Sequence, residues 1–196
     1  ITGFVVSLSL SFRSSTAYER YSEGRKYWAA LVQASHVLGR VFWIHSTHRP
    51  SQDTREMLLK KLSCMNLVVA FAVSLKHTLR FEPYTAYPDL QHLVGHLDAF
   101  AKEATEAEPE AAFANVGKRG FFRDVASYLG VSFVVSNPRK TLKKASRPLG
   151  NLPLEILNHI AAAIDMLIAS DQLRVPIQQT LAYNNLSVLN DVLTGT

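Results

Sequence analysis

The sequence predicts an all-α protein, and three observations carry that prediction. Along the long segments, apolar residues recur at steps of three and four rather than in alternation. The 8 prolines and 9 glycines, which punctuate chains, are sparse within those segments. The run with most strand character, GVSFVVS at 130 to 136, has no evident partner strand and reads better as a buried helical piece.

Taken in order, residues 3 to 47 read as one long helix, on which Tyr18, Tyr21, Arg25 and Trp28 share a face. Glu23 stands three before Lys26, a spacing that supports the exposed flank slightly. HRPSQD at 48 to 53 stops this helix. A second covers 53 to 80, with Leu58, Leu59, Leu62, Leu67, Val68, Phe71 and Leu75 as its apolar set. FEPYTAYPD at 81 to 89 breaks the pattern, because each proline disfavours helix in the residue before it. DLQHLVGHLDAFAKEA, 89 to 104, then resumes for about four turns.

AKEATEAEPEAA at 101 to 112 has the acidic, low-complexity composition of a surface loop. NLPLEILNHIAAAIDMLIAS at 151 to 170 is the clearest helix. Asn151 caps it, Pro153 fits the first turn, and Glu155 complements the positive helix start. Ile156, Leu157, Ile160, Ile164, Leu167 and Ile168 form one stripe, and Glu155, Asn158, His159, Ala162 and Asp165 the other, so its apolar face expects another helix. A last helix starts near Pro176 and runs past Asn190. No repeat or interdomain linker is visible, and residues 1–196 read as a single, partial domain.

Composition bounds the function more than it names it. The 196 residues are 47% apolar and 19% charged, fewer charges than the roughly 25% of average soluble domains. The formal charge of +5 is concentrated in Arg139, Lys140, Lys143, Lys144 and Arg147. Such a run is ordinarily a solvated face, with phosphate, acidic headgroups or a permeating anion as the alternatives. Cys64 lies in an apolar segment as a lone thiol, so no internal disulfide forms. No stretch reaches the about 18 uninterrupted apolar residues of a membrane span. The apolar run at 1 to 12 begins at Ile1, however, and reads as the tail of a span whose front half lies outside this chain.

Catalytic fingerprints are missing: there is no Walker-type loop, dinucleotide fingerprint, nucleophile elbow or zincin helix. His92 and His96 stand at i, i+4, a spacing that lets two imidazoles reach one metal, but only Asp89 and Asp98 lie nearby. His45 and His48 form a weaker pair at the end of the first helix. Glu19 and Glu23 lie one turn apart among Arg13, Arg20, Arg25 and Lys26, which favours ion pairing over a shared proton. We therefore expect no enzyme, no metal site and no cofactor.

The most specific signal is F-R-x-x-x-A-Y-x-R-Y-x-E-G-R-x-x-W, comprising Phe12, Arg13, Ala17, Tyr18, Arg20, Tyr21, Glu23, Gly24, Arg25 and Trp28. It is similar to the signature of the microbial branch of the bestrophin family of anion channels. LPLEI at 152 to 156 and QLRVPIQQTLAYNNLSVLNDVLTG at 172 to 195 resemble that family's next two blocks, in the same order. The resemblance is good over roughly 5 to 40 and 147 to 195, and poor between.

The resemblance implies a homopentamer, mostly helical, that is multi-pass in a membrane, contacts its lipid and passes small anions such as chloride passively. Residues 1–12 would then be the end of the pore-lining transmembrane helix, and 13–196 mainly cytosolic helices. Alignment on Arg13 carries the family's apolar pore neck onto Ile1 and Val5, with Phe4 or Leu8 as the alternatives one register away. The cytosolic aperture is carried onto Ile177, which follows Arg174 and Pro176. Charges at the helix's emergence would pair between helices and chains instead of facing lipid.

The sequence departs from the animal members at Ser14 and Ser15, where those carry an aromatic pair. Their calcium clasp lies in a region outside this chain, which leaves calcium dependence unassigned. The rival reading is a soluble helical protein-interaction module, favoured by the lack of a full span. A nucleic-acid binder using 139 to 147 is weaker, and we expect no nucleic-acid partner.

Overall fold

A computed structural model of the chain describes residues 2–47, 53–80, 82, 85, 87–97 and 150–195. Ile1, His48, the acidic 101–112 stretch, GVSFVVS and the 139–147 basic run lie outside the described residues. Within them the protein is helical, in order α1 (Thr2–Arg40), a π-helical turn (Val41–His45), α2 (Thr54–Leu79), α3 (Pro88–Val94), α4 (Leu152–Ala169) and α5 (Pro176–Gly195). The expected all-α class holds, and no strand occurs among the described residues.

By packing, the chain divides into two compact units, Ile1–Lys61 with Ala161–Thr196, and Leu62–Ile160. In the first, α1 and α5 pack along each other. Leu31, Ala34, Leu38, Val41 and Phe42, at steps of three and four, are buried on one side, and Ala182, Leu189 and Val192 of α5 on the other. The helices run antiparallel: Gly195 lies against the ring of Tyr27, while Gln178, near the start of α5, reaches His45. Gly195 has to lack a Cβ there, since one would overlap that ring.

α1 extends well beyond this seam. At 39 residues it is about 58 Å long, and every described side chain from Gly3 to Lys26 is exposed apart from half-buried Ser22. Its lower end differs from the single regular helix expected over 3–47. After Arg40 the chain widens into the π-helical turn, closed by the Ser46 N–H on the Val41 carbonyl (3.1 Å) and the Ser46 hydroxyl on the Phe42 carbonyl (2.7 Å).

Asp53 caps α2, accepting from the Arg55 N–H at 3.1 Å. Asn151 does the same for α4, where its side chain accepts from the Leu154 N–H at 3.3 Å. Ile156, Leu157, Ile160, Ile164 and Leu167 are buried as the sequence pattern requires. In the second unit the buried residues include Cys64, Phe71 and Leu75 of α2 and Leu90, Leu93 and Val94 of α3.

α3 is shorter than expected. It ends after two turns at Val94, because Gly95, a poor helix former, leads into a turn instead of the four-turn helix read from 89 to 104. No uninterrupted apolar run spans a bilayer, yet two whole helices, α2 and α4, are long and apolar enough to do so. Buried core helices share that property. The run at 1 to 12, expected to carry the end of a span, belongs to neither.

Candidate functional site

The residues singled out by the sequence fall at two places along the first unit. Arg13, Ala17, Tyr18, Arg20, Tyr21, Glu23, Gly24, Arg25 and Trp28 all lie on the exposed shaft of α1. Helix periodicity keeps Tyr21 and Arg25 adjacent, and the guanidinium carbon sits 6.0 Å from the Tyr21 ring centre. No ion pair joins Arg13, Glu19, Arg20, Glu23, Arg25 or Lys26 among the described residues, so the pairing expected of Glu19 and Glu23 is not made within this chain. Glu19 instead accepts from the Ser15 hydroxyl at 3.5 Å.

Val5 and its alternatives Phe4 and Leu8 belong to the first turns of α1, and Leu8 is exposed. Ile177 is far from them. It occupies the first turn of α5, beside the end of α1, roughly 60 Å of helix axis from Val5. The structure therefore separates the two groups of apolar candidates and does not bring them into one site.

Several polar contacts fix the start of α5. The turn after α4 places Asp171 at a left-handed φ of 58°, a conformation that aspartate tolerates better than most residues. Arg174 folds back on it, with Nη2 2.9 Å from Oδ2 and Nε donating to the Asp171 carbonyl at 3.1 Å. The Gln172 carbonyl accepts both the N–H (2.9 Å) and the hydroxyl (3.0 Å) of Thr47. Gln179 donates to the Leu173 carbonyl at 2.7 Å, and the Gln178 amide donates to His45 Nδ1 at 3.3 Å. Pro176 opens the helix without wasting an N–H.

All this polar bonding leaves Ile177 projecting, 76% exposed, flanked by half-exposed Val175. Its apolar side chain gains nothing from its own chain.

Two further anchors carried no signal in the sequence. Lys61 Nζ donates to the carbonyls of Trp43 and Ser46, each at 2.9 Å, and so places a cation on the carbonyl end of the π-helical turn. Asp165 of α4 accepts from the Tyr183 hydroxyl of α5, and that hydrogen bond, followed by desolvation, pushes the Tyr183 phenol above its ordinary value. The amides Gln178 and Gln179 were legible as part of R-V-P-I-Q-Q; what they bind was not.

The metal pair fails on geometry. His92 donates through Nδ1 to the Pro88 carbonyl at 3.0 Å, and His96 lies past the end of α3. Among the described residues no three His, Cys, Asp or Glu side chains gather to hold an ion.

Comparison with known proteins bears on the same residues. The family profile described as Bacterial/Fungal Bestrophin protein matches residues 1–120. That range takes in the motif of α1 and extends through the middle of the chain, where the sequence resemblance was judged poor, but does not include 152–156 or 172–195. A voltage-dependent anion channel-forming protein of Nostoc sp. is 39% identical over 114 residues, 58% of this chain and 35% of its own length. One from Synechocystis sp. is 40% identical over 83 residues, 42% of this chain and 26% of its own. One from Escherichia coli K12 is 34% identical over 101 residues, 48% of this chain and 30% of its own. The aligned part thus spans about a third of these relatives or less. No solved structure matches the chain. With three fifths of its residues under the family profile, the motif Phe12–Trp28 among them, the chain belongs to the bacterial/fungal bestrophin family.

Proposed function

We propose that this chain is part of a subunit of a passive, chloride-type anion channel, assembled as a homopentamer and multi-pass in its membrane. The relatives named as voltage-dependent anion channel-forming proteins support the class of activity. The exposed shaft of α1 supports the assembly. A solitary helix of about 24 residues is marginal in water, so its uncovered Tyr, Arg and Glu side chains call for neighbours, which copies of the same chain supply with both signs of charge. On this reading Ile1 and Val5 line the pore neck, with Phe4 and Leu8 one register away, and residues beyond 12 are mainly cytosolic.

The single observation that carries the pore reading is Ile177. A well-anchored helix start presents an apolar side chain to open space, and five copies around an axis would form a hydrophobic collar. Such a collar favours anions that shed water easily and gates by dewetting. α2 and α4 are read as interior helices of the cytosolic part. Each has a buried stripe, and α2 carries Arg55, Glu56, Lys60, Lys61 and Lys76 along its length, costly side chains for a span.

The test is electrical. In the full-length protein reconstituted in bilayers, Ile177→Ala should change relative halide permeability, read as reversal potentials across a chloride, bromide and iodide series. Identical potentials in both proteins would remove Ile177 from the conduction path.

A further inference from the structure

The second unit contains a buried charged cluster that the anion pathway does not use. His77, at the last turn of α2, is only 5% exposed. Its two ring nitrogens each face a carboxylate: Nδ1 lies 2.9 Å from Glu82 Oε2, and Nε2 lies 3.0 Å from Asp89 Oδ1. Ionised carboxylates only accept hydrogen bonds, so both contacts are hydrogen bonds only when the imidazole carries a proton on each nitrogen. A neutral ring has one N–H; its other nitrogen would point a lone pair at a carboxylate oxygen.

We propose that His77 is a proton-operated clasp for the connection between α2 and α3. The doubly protonated ring holds Glu82 and Asp89 together, and loss of one proton to solvent frees one of them.

Each remaining group around the ring fits this role. Asp89's second oxygen is 2.5 Å from Lys76 Nζ, and Glu82's second oxygen is 3.8 Å from Arg80 Nε. The cluster is thus an alternating row, Lys76, Asp89, His77, Glu82, Arg80, in which the central cation is the removable one. Lys76, and next His77, hold the Asp89 carboxyl down to about 2, so Asp89 stays ionised while the histidine titrates. Tyr87 covers the ring face, with centroids 4.6 Å apart and planes 13° from parallel. The backbone is clasped too, since the Glu82 N–H donates to the His77 carbonyl at 2.8 Å. Glu82 and Asp89 stand at opposite ends of the connection, so a single proton controls whether both ends are tied to α2.

Hydrogen–deuterium exchange on the full-length protein tests this, with peptides covering 82–94 corrected for intrinsic rate at each pH. Exchange should rise about fivefold between about pH 5 and about pH 8, the factor expected for one lost hydrogen bond in the histidine range. His77→Gln should abolish the rise. Should that variant fail to fold, Asp89→Asn serves: an asparagine amide donates to Nε2, the neutral ring is then satisfied, and the profile should again be flat. A flat profile in the unaltered protein, or the same rise in the substituted protein, overturns the clasp. Neither result bears on Ile177, because the two proposals share no residue.

Discussion

An isoleucine on the first turn of a helix forgoes roughly 1.5–3 kcal/mol of burial when its side chain stays in water. The residues around Ile177 make no attempt to recover it, because Gln178, Gln179 and Arg174 are engaged elsewhere. Lys61 does the opposite work with charge. Replacing it with alanine strips two carbonyls of their donor and should lower stability by about 1–2 kcal/mol, read as a fall in denaturant midpoint. Asp89 gives a third handle at this scale. Its folded value is depressed to about 2 by Lys76 and then His77, so its contribution is present in full above about pH 4, the ordinary aspartate value. That contribution disappears as pH falls through about 2. The difference in thermal midpoint between the natural protein and Asp89→Asn should therefore vanish in that acid window and nowhere above it. None of these pairings was legible in the sequence, because Lys61 and Trp43, or His77 and Asp89, become neighbours only through the turns between them.

At the level of elements, the seam of α1 and α5 is held by a short list of buried side chains. Leu38, with no exposed surface, sits in the middle of it. Leu38→Ala should cost about 2–5 kcal/mol by transfer and cavity together, seen as early loss of helical signal on heating. This seam was half readable. The three-and-four spacing of Leu31, Ala34 and Leu38 announces an apolar face, and the cap at Asn151 with Pro153 announces where α4 starts. Which helix meets which face is not encoded in a period. The length of α3 was misread for a related reason. Leu90, Leu93 and Leu97 keep a helical rhythm past Gly95, while the backbone turns there.

At the level of the whole molecule, the family was legible because its signature is a dense run of unusual residues, Phe12 to Trp28, on one helix. Assembly was not, since the side chains that would meet neighbours meet nothing in one chain. If copies of this chain cover α1, reversing a charge on the shaft should separate them. Glu23→Arg in the full-length protein should lower the oligomeric mass measured by light scattering, with helix content retained. An unchanged mass would show that the shaft is covered by something other than its own kind.

The π-helical turn at Val41–His45 has a consequence for mutagenesis. A wide turn of this type is one residue more than a regular helix needs, so deleting a single amino acid from Val41–Ile44 should let the segment rewind. Everything downstream would then swing by about 100° around the axis, carrying His45 away from Gln178 and Thr47 away from Gln172. A one-residue deletion far from either apolar constriction would thus unmoor the foot of α5 more thoroughly than most substitutions within it.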